Sequence, residues 1–497
     1  MMLKKNQIFK VTGLIISCAV ISACDTSFDK PVGDVSYSNG TADFSKFVSI
    51  GDSLTAGYAD NALYLSGQEN SYPAILAQQF AKVGGGSFAQ PLVSDNLGGL
   101  LIGGNENSEF GNRYVLNAET KSPEPITGTP TTEVTDVLPG PFNNMGVPGA
   151  KSFHLLSTDY GDQAGLGAGT ANPYFVRFAS ATNTTMIADA AAQLPSFFVI
   201  WVGNNDVLSY ATSGGIGTDQ RGNINPATYS SSDITDPTAF AGIYTQLVSA
   251  FTTANADVKG VLINIPDIST LPYFKTVPYN AVPLDQTNAD DLNAAYTAYN
   301  KGVTALLAGQ PDEVAKRTIT FAAGQNAVVI SDEDLTDLSG SGLPSMRQAT
   351  ANDLLVLTSS SKIGTPKIEN DQTSIWGLGV PLEDADVLIP SEIELINTAR
   401  LAFNNTIKTT ADANDNLLFV DIEAIMAELS TTAGIDYGTG SITAIYATGG
   451  GFSLDGVHPT ARAYSVIANR IITTINTGFS ANIPAVDPGN YTTIFVK

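Results

Sequence analysis

The chain has 497 residues, 24 Lys and Arg against 48 Asp and Glu, a net charge of −24 and two cysteines. That balance, with no basic cluster to offset it, argues against a nucleic-acid partner and fits a solvated acidic surface. A chain of this length can bury a large core, and beyond residue 21 no apolar run approaches the ~18 residues of a membrane span.

Three lysines (Lys4, Lys5, Lys10) precede an apolar run over 11–21, and Ser22 and Ala23 then stand directly before Cys24. The run is too short to cross a bilayer, which needs ~20 residues, and residues 1–23 read as a secretory signal peptide. The plainer alternative is cleavage near Ala23 with Cys24 incidental. The ending Ile21-Ser22-Ala23-Cys24 resembles the bacterial lipobox. That resemblance implies an exported lipoprotein of the cell envelope, at the outer membrane or cell surface, attached to the membrane only through lipid on Cys24. Cys18 then leaves with the signal, so no thiol remains for a disulfide or a metal cluster.

Residues 24–44, rich in Ser, Asp and Gly, read as a tether, and the remainder, 45–497, as one domain. Short apolar runs at 47–50, 142–145 (a weak one), 197–202, 258–265 and 417–420 are each followed by a turn and usually by helix-like sequence. Such runs predict a five-stranded parallel sheet covered on both faces, an α/β doubly wound domain. Ser71 and Pro73 open a predicted helix over 74–83, Thr460 one over 461–475, and further helices are expected at 391–409 and 290–307. Three stretches exceed what the sheet needs: about 95–140, 209–236 and 268–385. Loops that long are usually functional or separately folded; here they are read as insertions forming a rim or cap, not as an independent domain.

Gly51-Asp52-Ser53-Leu54 follows the first strand, which places a serine hydroxyl at a strand-to-loop turn on the carboxyl edge of the sheet. A serine also needs a base and a place for an oxyanion. Beyond the leader the chain offers two histidines, His154 and His458. Asp455 and His458 lie three apart on one loop, so the carboxylate can orient the imidazole toward the serine. Asn205 in Gly203-Asn204-Asn205-Asp206 supplies a side-chain donor at the end of the third strand. Gly149 in Gly146-Val147-Pro148-Gly149 supplies a backbone N–H at the end of the second, and Ser53 supplies its own N–H. Asn204 is expected to point away. Asp52 and Asp206 are expected to brace their turns, and His154 to pack or start a helix rather than touch substrate.

These four segments, in this order, resemble the conserved blocks of the GDSL/SGNH hydrolases. The likeness runs from residue 47 to about 476, and the insertions roughly double a minimal member. It implies a three-layer α/β/α flavodoxin-like fold and ester hydrolysis through an acyl-enzyme, with no cofactor and no metal. By that resemblance Ser53 is the nucleophile, His458 the base and then the acid, and Asp455 its orienter. Ser53 N–H, Gly149 N–H and Asn205 form the oxyanion hole. A small-molecule, lipid or glycan ester is the expected substrate. A carbohydrate O-acetylesterase is the alternative within this chemistry, and a non-catalytic surface binding lipoprotein the alternative outside it.

Because Cys24 is the only expected anchor, Cys24→Ser should move the protein from the membrane to the soluble fraction on cell fractionation. Membrane retention of that variant would overturn the lipobox reading.

Overall fold

Five short runs form one all-parallel sheet: β1 (Phe47–Gly51), β2 (Asn144–Gly146), β3 (Phe197–Trp201), β4 (Lys259–Ile263) and β5 (Leu417–Val420). Their spatial order is 2-1-3-4-5. The computed structural model describes residues 36–497. The expected signal peptide, Cys24 and most of the expected tether lie outside the described residues. Helices around the sheet and in its insertions include α1 (Ser53–Ala56), α2 (Tyr72–Phe80), α3 (Met186–Ala191), α4 (Asn205–Thr212), α5 (Pro237–Ala254), α6 (Gln286–Leu306) of the third insertion, α7 (Pro390–Asp412) and α8 (Ala461–Gly478).

Burial on both faces explains why the strands read as unbroken apolar runs. Every residue of β3 is 1% exposed or less. Successive strand residues point to opposite faces. On one face the Phe197 ring meets Phe44 at 4.8 Å, Phe80 at 5.6 Å and Phe479 at 6.2 Å. These rings lie beside or within α2 and α8, which pack on each other. On the other face Phe198 stacks on Phe251 of α5 at 4.5 Å, and Phe240 of α5 stacks on Phe403 of α7 at 4.2 Å. Each such side chain contributes roughly 1.5–3 kcal/mol by leaving water. The protein is therefore a mixed α/β structure around a central parallel sheet.

Two helices begin at the caps the sequence offers, whereas α6 starts at Gln286, behind an Asp285 cap, ahead of the expected 290. Ser71 Oγ accepts the Ala74 N–H ahead of α2, and Thr460 Oγ1 accepts the Ala463 N–H at 3.1 Å ahead of α8. Sequence reading named no bounds for α5, although Asp236 caps it with Pro237 at its first position, and Phe240, Tyr244, Leu247 and Phe251 are buried at helical spacing.

Two expected boundaries shift. Ordered packing begins inside the expected tether: Phe44 is 1% exposed and stacks on Phe80 at 4.1 Å, and Ser38 bridges to Asn482. The second insertion begins later than 209, because Ser209 to Thr212 complete α4. The third carries a hydrophobic core of its own, in which Tyr296, Tyr299 and Val303 of α6 join Val329, Ile330 and Leu382. In that insertion the buried Arg347 guanidinium lies between Asp353, at 2.7 Å, and Asp332. The first insertion holds a three-stranded sheet (Leu100–Ile102, Asn105–Glu106, Thr132–Glu133) and a hairpin (Tyr114–Leu116, Pro123–Pro125).

Candidate active site

Register brings the site together. Gly51 at the end of β1 lies opposite Gly146 of β2 and Trp201 of β3. Ser53, Gly149 and Asn205 therefore leave the sheet from one level of its carboxyl edge, where β1 separates β2 from β3 and the strand order reverses. Close packing there excludes a side chain at Gly146, whose Cβ would lie 2.3 Å from the Ala56 nitrogen of α1.

Asp52 caps α1, its carboxylate accepting the Leu54 N–H at 3.0 Å. Ser53 thus occupies the first helical position, where the backbone N–H has no intrahelical acceptor. The His458 loop is closed by the Ser453 N–H donating to the His458 carbonyl at 2.8 Å. Asp455 Oδ1 accepts the N–H groups of Val457 and His458, both at 2.8 Å. Its Oδ2 pairs with His458 Nδ1 at 3.0 Å, and His458 Nε2 lies 2.8 Å from Ser53 Oγ, a contact between residues 405 apart in sequence. Burial opposes the Asp455 charge, but the His458 ring and the two N–H donors outweigh it and hold the carboxyl at about 2. Asp455 therefore stays ionised at neutral pH, and the orientation of His458 is fixed.

Among the described residues nothing accepts from the N–H of Ser53 or of Gly149. Gly149 has φ +79°, a left-handed conformation that glycine adopts without strain. Asn205 Nδ2 donates one proton to the Ala150 carbonyl at 3.0 Å, which fixes the amide and leaves its second proton unspent. Asn204 is buried, and its Nδ2 donates to Asp52 Oδ2 at 2.9 Å, so it supports the cap beneath the serine. Burial pushes Asp52 up to about 6 against the Asn204 and Leu54 donors.

A second set of contacts was missed in the sequence. Asp60 and Asn61 both adopt left-handed backbone, φ 52° and 63°. The Asn61 N–H donates to Asp455 Oδ2 at 3.0 Å, the same oxygen that meets His458. Asp60 accepts the Leu454 N–H at 3.0 Å and the Tyr64 hydroxyl at 3.0 Å, and its N–H donates to Ser453 Oγ at 2.9 Å. The serine loop and the histidine loop are thus clasped from both sides, and the Tyr58 ring packs 4.7 Å from His458. The Asp-Asn pair was the available signal, since these residues tolerate left-handed turns better than other non-glycine types.

Asp206 braces a different loop from its own. It accepts the Ser152 N–H at 2.8 Å and the Ser152 hydroxyl at 2.6 Å, tying α4 to the segment that carries Gly149. His154 lies in the helical turn Ser152–Leu156, where its Nδ1 accepts the Lys151 N–H at 3.0 Å and its ring stacks on Tyr160 at 4.3 Å. Among the described residues one group of three carboxylates, Glu333, Asp384 and Glu392, lies close enough to share a cation. It includes none of Ser53, Asp455 and His458, and Glu392 is engaged in accepting the Ile389 N–H at 2.8 Å.

Asn204→Ala leaves a buried carboxylate short of a donor and should cost ~1–3 kcal/mol in denaturant unfolding. Asp60→Ala should cost a similar amount, with Asp60→Asn recovering most of it because the amide can still accept from Leu454. Unchanged midpoints for both alanine variants would show that these contacts contribute nothing. Comparison with protein-family models, with characterised proteins and with solved structures finds no match, so the functional reading rests on this geometry.

Proposed function

We propose that the protein is an exported serine ester hydrolase of the GDSL/SGNH type, acting through an acyl-enzyme on Ser53. The observation that carries this reading is the hydrogen-bonded series Ser53 Oγ to His458 Nε2 at 2.8 Å and His458 Nδ1 to Asp455 Oδ2 at 3.0 Å. The strand order 2-1-3-4-5, with helices on both faces, supports the three-layer flavodoxin-like form of the fold.

In this mechanism Ser53 Oγ attacks the ester carbonyl while His458 takes its proton. Charge on the former carbonyl oxygen is met by the N–H of Ser53, the N–H of Gly149 and the free proton of Asn205. His458 returns the proton to the departing alcohol, leaving an acyl-Ser53 ester. Water, deprotonated by His458, then releases the acid and restores Ser53. Asp455, ionised throughout, stabilises the imidazolium. The reaction so written uses no cofactor. Export and membrane attachment belong to the same proposal and rest on the leader and Cys24; among the described residues no helix is long and apolar enough to cross a membrane.

A fluorophosphonate probe should label Ser53 and no other serine. Absence of the adduct would favour the binding-lipoprotein alternative. Ser53→Ala and His458→Ala should each lower ester turnover by several orders of magnitude at nearly unchanged Tm, with the double variant little worse than either. A His458→Ala enzyme keeping a tenth of the activity would displace His458 as base.

Asn205→Ala should lower kcat on the order of a hundredfold to a thousandfold, about 3 kcal/mol, with KM nearly constant. Asn205→Asp should do at least as much harm, since a carboxylate would face the forming oxyanion. Because Asn205 also holds the Ala150 carbonyl, each variant is checked by its unfolding midpoint, and loss of activity only through unfolding would remove Asn205 from the oxyanion site.

A further inference from the structure

The segment that follows the serine contains a two-residue turn whose peptide groups face the Asp455 and His458 loop. Ala59 and Ala62 exchange backbone hydrogen bonds at 3.1 and 3.2 Å, and between them Asp60 and Asn61 both take left-handed backbone, φ 52° and 63°. That is the form of a type I′ hairpin turn, which needs positive φ at both central positions. The N–H groups of the two central residues have no acceptor inside such a turn. Here both are spent on the histidine loop: Asp60 N–H on Ser453 Oγ at 2.9 Å, and Asn61 N–H on Asp455 Oδ2 at 3.0 Å. Further bonds fix the turn. The Asp60 carboxylate accepts the Leu454 N–H and the Tyr64 hydroxyl, and the Asp60 carbonyl accepts the Tyr114 N–H of the first insertion at 2.8 Å. The Asn61 side chain, by contrast, is exposed and makes no hydrogen bond among the described residues.

A carboxylate offers about four acceptor positions. Asp455 fills them all: Oδ1 takes the N–H groups of Val457 and His458, and Oδ2 takes His458 Nδ1 and the Asn61 N–H, each at 3.0 Å. Of these donors, Asn61 is the one from outside the histidine loop. Its N–H shares an oxygen with the imidazole, so it draws carboxylate charge away from the ring, and it opposes rotation of the carboxylate out of the plane that meets Nδ1. A donor that stabilises the carboxylate by itself weakens the carboxylate's hold on the imidazolium. Without the Asn61 N–H the charge on Oδ2 would be offered to His458 alone. The imidazolium would then be held more strongly, and the ring would become free to accept the serine proton only at higher pH.

We propose that the Asp60-Asn61 turn is a positioning element that sets the basicity of His458 through the Asn61 N–H. The proposal rests on the hydrolase reading and adds a group that touches neither substrate nor serine and acts through Asp455. The other titratable groups facing the pair are Asp52 beneath the serine, Asp60 in the turn, and the hydroxyls of Tyr58, Tyr64, Tyr114, Tyr446 and Tyr464. Burial pushes each of these tyrosines up, so they stay neutral at working pH, and it lifts Asp52 and Asp60 to about 6. Arg113 is the cation that acts on Asp60. Substitutions at Asn61 leave every one of these groups in the chain, so their pH profiles share one background.

The test measures kcat/KM of the full-length protein on p-nitrophenyl acetate across the acid limb of its pH profile, together with Tm, for wild type and three Asn61 variants. Glycine takes positive φ freely, alanine less readily and a β-branched residue poorly, so the series displaces the Asn61 N–H by degrees without removing a side-chain contact. Asn61→Val should move the acid limb up by roughly half a pH unit or more, the size expected for one hydrogen bond to a carboxylate. Its loss of kcat/KM should therefore be about threefold or more at the acid end and shrink toward the alkaline end. Asn61→Ala should fall between, and it decides the comparison alone if the valine chain does not fold. Asn61→Gly, which keeps the turn, should return the limb to the wild-type position. An unmoved limb in Asn61→Ala and in any folded Asn61→Val overturns the proposal, and a fall in Tm alone would leave the turn a structural role only. An Asn61→Gly limb displaced as far as that of Asn61→Val also overturns it, since the effect would then lie in the lost side chain. These outcomes leave the hydrolase reading intact, whereas no turnover of any ester by the wild type together with no fluorophosphonate adduct on Ser53 overturns both.

Discussion

Burial of the parallel sheet on both faces is the constraint from which the rest follows. A strand such as β3, with every residue out of water, is stable only if helices cover it on either side, and parallel strands then require a crossover between each pair. All five carboxyl ends consequently lie on one edge. Because β1 sits between β2 and β3 in matched register, three loops from distant parts of the chain meet there. The short distance between Ser53 and His458 is a product of this topology, since 405 residues separate them in sequence.

The same edge gathers four buried carboxylates, and their hydrogen-bond donors sort them. Asp455 receives N–H groups from Val457, His458 and Asn61 besides the His458 ring, and is held low. Asp52 and Asp60 have fewer donors, and burial lifts each to about 6. Burial also raises Asp206 despite its two bonds from Ser152. Asp455 is thereby the one of the four held below the ordinary carboxylate range, beside the imidazole, and the other three act as caps and clasps.

The insertions do structural work of two kinds. The third has its own apolar cluster and the buried Arg347 with its two aspartates, while its Leu354 and Val356 join the main core. The first and second have small sheets and turns but share a cavity with the Gly149 segment.

Much of the fold was legible in the sequence because its signals are local. All five strands fall within about two residues of the apolar runs, and Ser71 and Thr460 mark their helices, since strand burial and capping depend on near neighbours. Gly-Asp-Ser-Leu, the Gly-x-Asn-Asp segment and Asp-x-x-His were likewise readable as motifs, and Asp455 reaches His458 within one loop. Other features needed the tertiary structure. Asn204 engages Asp52 only because β3 lies beside β1, and Asn61 meets Asp455 across 394 residues. Phe44 belongs to the core because Phe80 and Phe197 are folded over it, although its own surroundings read as a tether. The separate core of the third insertion and the cavity between the first two are equally out of local reach. The sequence determined which short segments are strands, caps and candidate site motifs, because those depend on residues a few positions apart. Only the tertiary structure decided which of these groups face one another, because that depends on the order and register in which the strands are stacked.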